Sequence, residues 1–251
     1  MRESFLSLVN KSFTRFECIV VDDSDDLNLA SVCQGLCKND SRFRYIINNK
    51  RLALAASLKI GIALANGNLT ARFDSNDLCT ANRIELQKTY LEENPDIAVV
   101  GSWLQIINRE GRSTHVRRYS ENHADIENNF IYKNAMAHPT VMFRKDLVER
   151  QMYIYRDEYL FSEDLELWLR LLSQGVKFGN IPKCLVLYRQ QTTNRSIGNW
   201  KFNARARLTL LAAPNYILKW VVILLLIIWG YLPKIFQRII YSVIIFRKSI
   251  F

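Results

Sequence analysis

An α/β fold, with a mixed, mainly parallel sheet and flanking helices, is predicted by three features of this chain. Short β-branched or apolar runs alternate with stretches of helical period, and two of those runs end abruptly in acidic clusters. With 251 residues, 49% of them hydrophobic and 23% charged, the chain is long and apolar enough for one substantial core, and a disordered chain is excluded.

Residues 3–13 read as a short helix with Phe5, Leu6, Leu8 and Val9 on its apolar side. Residues 16–21 are β-branched and mostly uncharged, which predicts a buried strand. Asp22-Asp23-Ser24-Asp25-Asp26 closes it. Four carboxylates in five positions repel one another, so some must be solvated, hydrogen-bonded or ligand-bound. One of them can accept from a base or a ribose while others cap a helix at 29–38; a purely capping and solubilising cluster is the alternative. A strand at 44–47, a turn at Asn48-Asn49 and a helix at 52–65, with Leu54, Leu58, Ile62 and Ala65 recurring on one face, come next.

A third strand at 69–73 leads into Asp74-Ser75-Asn76-Asp77. Oxygen-rich side chains at a strand end can chelate a hard divalent cation and, through it, phosphate; an Asx-rich turn would use the same residues without metal. The carboxyl ends of strands are where open α/β sheets bind ligands, so two acidic clusters in that position point to one crevice.

Thr80 or Asn82 caps the next helix, which runs to about Leu91 with Ile84, Leu86, Thr89, Tyr90 and Leu91 partly buried; Pro95 stops it. A strand region spans 97–107, with Gly101 marking a bend, and 108–128 reads as loops and a short helix with His115 and His123 exposed. His138, held before Pro139, enters a strand; it can give a pyrophosphate or acceptor a charge-assisted hydrogen bond or be structural. Residues 153–161 read as an aromatic rim over a cleft.

Ser162 caps a helix whose stripe of Leu165, Trp168, Leu169 and Leu172 faces the core, which puts Glu163 and Asp164 in its first turn. A carboxylate there can deprotonate a hydroxyl, and ordinary helix-terminal acids fit the position too. Short strands at 176–181 and 185–189, a polar lid at 190–199 bearing Arg195, and a helix from 199 to 213 ended by Pro214 complete this region.

Charge is divided unevenly. Residues 1–166 hold all 24 acids and 21 of the 34 Lys and Arg, and residues 167–251 hold the other 13 basic residues and no acid. The basic excess is coupled to an apolar end instead of an aromatic-lined groove, which argues for an anionic lipid surface and against nucleic acid. Residues 220–233 carry no charge over 14 positions, short of the roughly 20 a perpendicular span requires. Lys219 can snorkel and lengthen the segment, Gly230 and Pro233 interrupt it, and Lys234, Arg238, Arg247 and Lys248 accompany a second apolar run at 235–246. The expectation is a membrane-associated tail at 201–251, in the interface or crossing once, behind a domain at 1–200; a helix pair packed on the domain or a partner is the other reading. The five cysteines read as free thiols of a reducing compartment, without zinc spacing, and residues 1–10 are too short and polar for a signal peptide.

Taken together these stretches resemble the family 2 nucleotide-sugar glycosyltransferases of the GT-A fold, over residues 5 to about 195. Val20-Val21-Asp22-Asp23-Ser24 looks like the strand-end motif that holds base and ribose, and residues 49–61 resemble the family's next loop and helix. Ala71-Arg72-Phe73-Asp74-Ser75-Asn76-Asp77 falls on the metal-binding acidic triplet, with Arg83 in the next helix start. Ala137-His138-Pro139-Thr140 and the run from Ser162 to Trp168 match two further motifs, and Asp164 falls on the catalytic base of inverting members.

The resemblance implies transfer of a sugar from a nucleoside diphosphate sugar, UDP-linked by expectation, to a hydroxyl of a glycan or lipid-linked acceptor. Asp164 and Glu163 are then the catalytic acids, and Asp22, Asp23, Arg72, Asp74 and His138 the donor-binding residues. Asp74, Asn76 and Asp77 would hold Mg²⁺ or Mn²⁺. The implied setting is polysaccharide biosynthesis for the cell envelope, with the domain in the cytoplasm on the cytoplasmic side of the membrane. Two departures matter. Asn76 replaces an aspartate and brings no charge, a deficit Asp77 is expected to make up, and a weakly active or inactive nucleotide-sugar binder is the alternative function. Family members also begin with an apolar strand and a short Pro/Tyr loop, whereas this sequence starts inside the next helix, so unpaired inner strand edges are expected.

Overall fold

The structure is a computed structural model that describes residues 1–152, 154–159, 161–190, 200–208, 216–233 and 235–237. The expectations placed on Tyr153, the lid with Arg195, Pro214, Lys234, Arg238, Arg247 and Lys248 lie outside the described residues, as does the side chain of Lys219.

Helix α1 (Arg2–Val9) leads to β1 (Cys18–Asp22), α2 (Leu27–Lys38), β2 (Phe43–Ile47) and α3 (Leu54–Leu64). Then come β3 (Leu69–Ala71), β4 (Leu78–Cys79), α4 (Arg83–Glu93), β5 (Ile97–Ile107), β6 (Ser113–Arg117) and α5 (His123–Phe130). A 3₁₀ turn (His138–Thr140), β7 (Met142–Arg144), α6 (Asp146–Glu149), α7 (Glu163–Ser173), β8 (Lys177–Arg189), α8 (Trp200–Leu208) and α9 (Tyr216–Tyr231) complete the order.

The strands form two separate sheets. In the first, β1 and β2 run parallel; the second has the order β3-β7-β5-β8-β4, with β6 beside β5. The sheet is mixed as expected, with β1–β2 and β5–β8 the parallel pairs and the remaining pairs antiparallel. Among the described residues β1 and β3 each pair on one side only, and both line a cavity of about 970 Å³ between the sheets. The expected free edges are therefore present. On the face predicted for α3, Leu58 and Ile62 are half-buried and pack against the main core, and with the exposed Leu54 they also border this cavity.

The main core gathers Val99 of β5, Phe130 of α5, Phe143 of β7, Phe178 of β8 and the predicted α7 stripe. Leucine and tryptophan at that spacing put one side of α7 against the sheet while its amino end stays at the sheet's edge. Two expectations change. The short strands at 176–181 and 185–189 are one strand, β8, kept continuous by its parallel pairing with β5. His123 is half-buried, its Nδ1 accepting from Phe178 N at 3.3 Å, whereas His115 is exposed. Gly101 lies inside β5 with register shifts on both sides of it, and what it provides is space: a Cβ there would come within 2.3 Å of Asn180 Oδ1.

Helix α4 buries Leu91 as expected, and with it Arg83 and Gln87, which the pattern does not mark. Arg83 donates to Arg72 O at 2.8 Å and to Gln87 Oε1 at 2.9 Å, and Gln87 Nε2 donates to Thr140 O at 2.7 Å. These bonds satisfy carbonyls where β3 and the 3₁₀ turn end, which no ladder partner reaches. Replacing Arg83 with Met would leave buried acceptors unsatisfied at about 1–3 kcal/mol each. Urea unfolding should show a lower midpoint at unchanged slope.

Candidate active site

The strand-end sequence after β3 is held in place before it does any chemistry. Arg72 N donates to Val141 O at 2.9 Å, and Arg83 grips the Arg72 carbonyl, so the Arg72 side chain is fixed by its own backbone. Arg72 is 8% exposed, and its Nη2 meets Asp74 Oδ1 at 2.5 Å. Burial alone would lower the pKa of this guanidinium; the nearby carboxylates, Asp74 first and then Asp164, outweigh that and raise it. Its Nε is buried and has no hydrogen-bond partner among the described residues.

Around this cation stand the acids of α7. Asp164 Oδ1 accepts from Leu165 N and Oδ2 from Asn134 Nδ2, both at 2.7 Å. Burial raises the pKa of Asp164, while Leu165 N, Asn134 and Arg72 partly restrain it. Glu163 is raised by burial and then by the adjacent Asp164 charge, so the pair holds a proton more readily than ordinary carboxylates do. Ser162 makes no capping bond from its side chain; instead its hydroxyl accepts from Asn203 Nδ2 at 2.9 Å, which ties α7 to α8.

His138 is 7% exposed, with Nε2 at 2.7 Å from the Tyr155 hydroxyl and its ring edge-on to Trp168. Burial, then the Arg72 charge, lowers its pKa well below the usual value. It is a neutral, enclosed imidazole that orients Tyr155, and the charge-assisted contact expected of it is not available. The aromatic rim is corrected in part: Tyr155, bonded to His138, and Tyr159 are 2% exposed and belong to the core, whereas Phe161 is 51% exposed.

Asp22 and Asp23 form a second group. Asp22 accepts from Ser24 N at 2.9 Å and the Tyr45 hydroxyl at 2.7 Å; Asp23 accepts from Asn48 Nδ2, Leu52 N and Ala53 N at 2.7–2.8 Å. Burial raises both carboxyls, and these bonds more than reverse it. Asp23 holds Ala53 at φ +70°, a conformation that costs a non-glycine residue about 1–3 kcal/mol. Asp26 caps α2, as predicted for this cluster, accepting from Asn28 N and Leu29 N.

The metal expectation divides three ways. Asp74 keeps 28% of its side chain exposed with one oxygen on Arg72, and Asn76 is half-buried, so both can face a cation. Asp77 is fully enclosed, with Oδ1 accepting from Arg189 N at 2.9 Å and Oδ2 without a partner among the described residues. Burial and Asp74 push its pKa up to about 7. Its charge would reach a cation on Asp74 only through the protein, which removes the compensation expected for Asn76. Among the described residues no three His, Cys, Asp or Glu are grouped to hold a metal on their own. What is present suits a cation bound by one carboxylate together with substrate phosphates.

The profile of the family described as Glycosyl transferase family 2 matches residues 1–151. The chain belongs to glycosyl transferase family 2. It is 30% identical over 187 residues to the O-antigen biosynthesis glycosyltransferase WbnJ of Escherichia coli, covering 73% of this chain and 71% of that one. It is 29% identical over 161 residues to an E. coli UDP-Gal:alpha-D-GlcNAc-diphosphoundecaprenol beta-1,3-galactosyltransferase, covering 59% and 54%. Among solved structures the fold is similar to S. aureus TarS 1-349 in complex with UDP-GlcNAc, with a TM-score of 0.66, 16% identity and coverage of 85% and 63%. It is also similar to the mannosyltransferase PcManGT of Pyrobaculum calidifontis with GDP-Man and Mn²⁺, with a TM-score of 0.65, 12% identity and coverage of 88% and 63%. The chain thus spans 54% of the galactosyltransferase and 63% of each crystallised neighbour. These two structures establish the GT-A fold.

Asn134 lies in a loop without periodicity or motif, and no sequence signal marks it; folding alone brings it to Asp164. Asn134→Ala removes a donor to the ionised carboxylate, so the Asp164 pKa should rise further. A ¹³C-carboxyl NMR titration, with the resonance assigned by its loss in Asp164→Asn, checks this.

Proposed function

We propose that this chain is an inverting glycosyltransferase that moves a sugar from a UDP-linked donor to a hydroxyl of a glycan or lipid-linked saccharide. The observation that carries the reading is the convergence on Arg72 of Asp74, from the end of β3, and Asp164, from the start of α7. A phosphate-binding group and a general base so placed can act on the two sides of one anomeric carbon.

Asp164 takes the acceptor proton. Its raised pKa makes it a stronger base than a solvated aspartate, and its two hydrogen bonds fix its direction. Arg72 lies beside the leaving diphosphate and balances the charge that builds there. Asp74 and Asn76 would hold Mg²⁺ or Mn²⁺, which supplies further neutralisation of that diphosphate when bound. Asp22, Asp23 and the Asn48–Ala53 turn shape the nucleoside side. The E. coli relatives' names, O-antigen biosynthesis and a diphosphoundecaprenol-linked acceptor, support an envelope polysaccharide made on the cytoplasmic side of the cell membrane.

Incubation with UDP-sugars, Mn²⁺ and a membrane extract should give sugar transfer, and Asp164→Asn should lower it about 10²–10⁴-fold with UDP affinity preserved in calorimetry. The absence of both transfer and donor hydrolysis would overturn the reading. Asn76 favours a second one, a nucleotide-sugar binder without turnover. Its signature is UDP binding combined with no activity for Asp164→Asn to remove.

A further inference from the structure

Helix α9 carries a large apolar surface with high solvent exposure. Trp220, Val221, Leu224, Leu225, Ile228 and Tyr231 recur at helical spacing on one side. Leu224 is 56% exposed, Leu225 58%, Ile228 50% and Tyr231 81%, while Ile223 on the other side is 4% exposed. Beyond Pro233 the chain continues the surface with Ile235 at 65% and Phe236 at 53% exposure. Gln237 fixes that continuation, because its buried Nε2 donates to Trp229 O at 2.7 Å and Leu232 O at 2.9 Å and so caps the helix end. A soluble protein rarely leaves such a contiguous patch to water.

We propose that α9 lies flat on an anionic phospholipid surface with this face down, docking the domain beside its acceptor. Charge selects the occupant: from residue 216 to the end the sequence has five basic residues, Lys219, Lys234, Arg238, Arg247 and Lys248, and no acid, and the first two bracket the apolar run in sequence. Two copies meeting through this face would bring like charges together, whereas an anionic leaflet supplies the opposite sign. Length selects the orientation. Sixteen helical residues extend about 24 Å, less than the ~30 Å of a hydrocarbon core, and no described helix is long and apolar enough to cross a membrane. Trp220 and Tyr231 stand near the two ends of the face, and both side chains favour the headgroup boundary. Of the two modes expected for the tail, the in-plane one suits α9.

The inference rests on the proposed function only for its acceptor, and its test needs no turnover. The full chain should float with phosphatidylcholine vesicles that contain phosphatidylglycerol, bind vesicles of phosphatidylcholine alone about tenfold more weakly, and dissociate progressively as salt rises. The exposed double variant Leu224→Asp/Leu225→Asp should lose at least about tenfold in vesicle affinity with unchanged circular dichroism and UDP affinity. Equal binding to both vesicle types, no binding, or retention by the double variant would overturn the proposal. So would a concentration-dependent dimer that the double variant dissolves, which would assign the face to a second copy. Vesicle binding without sugar transfer would leave this proposal standing and count against the enzymatic one.

Discussion

The ion pair between Arg72 and Asp74 is the interaction around which this molecule is arranged. A guanidinium with 7% of its side chain exposed is a cost to any fold unless charge and hydrogen bonds compensate it. Here the compensation comes from Asp74, two residues on, and from Asp164 of α7, far away in the chain, while Val141 O before β7 accepts from the Arg72 backbone N–H and holds the strand end. Each is there because something else holds it. Arg83 and Gln87 of α4 close the carbonyls of the strand end and the 3₁₀ turn, and the aliphatic side of α7 fixes where its acidic amino end emerges.

The carboxyls of the two groups have been given different characters by their surroundings. Asp22 and Asp23 are surrounded by donors and stay below the ordinary aspartate range, which suits holding a loop in shape. Glu163 and Asp164 are crowded, partly desolvated and close to each other, which suits moving a proton. Asp77 is buried with an oxygen that no described residue answers, and it belongs to neither set. One residue type thus serves three purposes, and the number of donors within reach decides which.

The motif-bearing strand ends are legible in the sequence because they combine a local pattern with a local consequence. A β-branched run ending in acids must stop where the acids meet solvent or donors, and the stripe of Leu165, Trp168, Leu169 and Leu172 can face a core only if Glu163 and Asp164 begin the helix. The elements that sequence reasoning misplaces depend on partners distant in the chain. The two short strands join as β8 because β5 runs alongside, α4 turns Arg83 and Gln87 inward because carbonyls there lack donors, and β6 exists because β5 offers an edge.

By itself the sequence determined the class of fold, the order of its strand-end acids and the amino terminus of α7, since each comes from side-chain periodicity and from the repulsion of neighbouring like charges. Tertiary structure alone decided which acids share a cation, that His138 is enclosed and neutral, that Asn134 reaches Asp164, and which side of α9 is exposed. Those outcomes depend on desolvation and on distances across the fold, and neither is a property of neighbours along a chain.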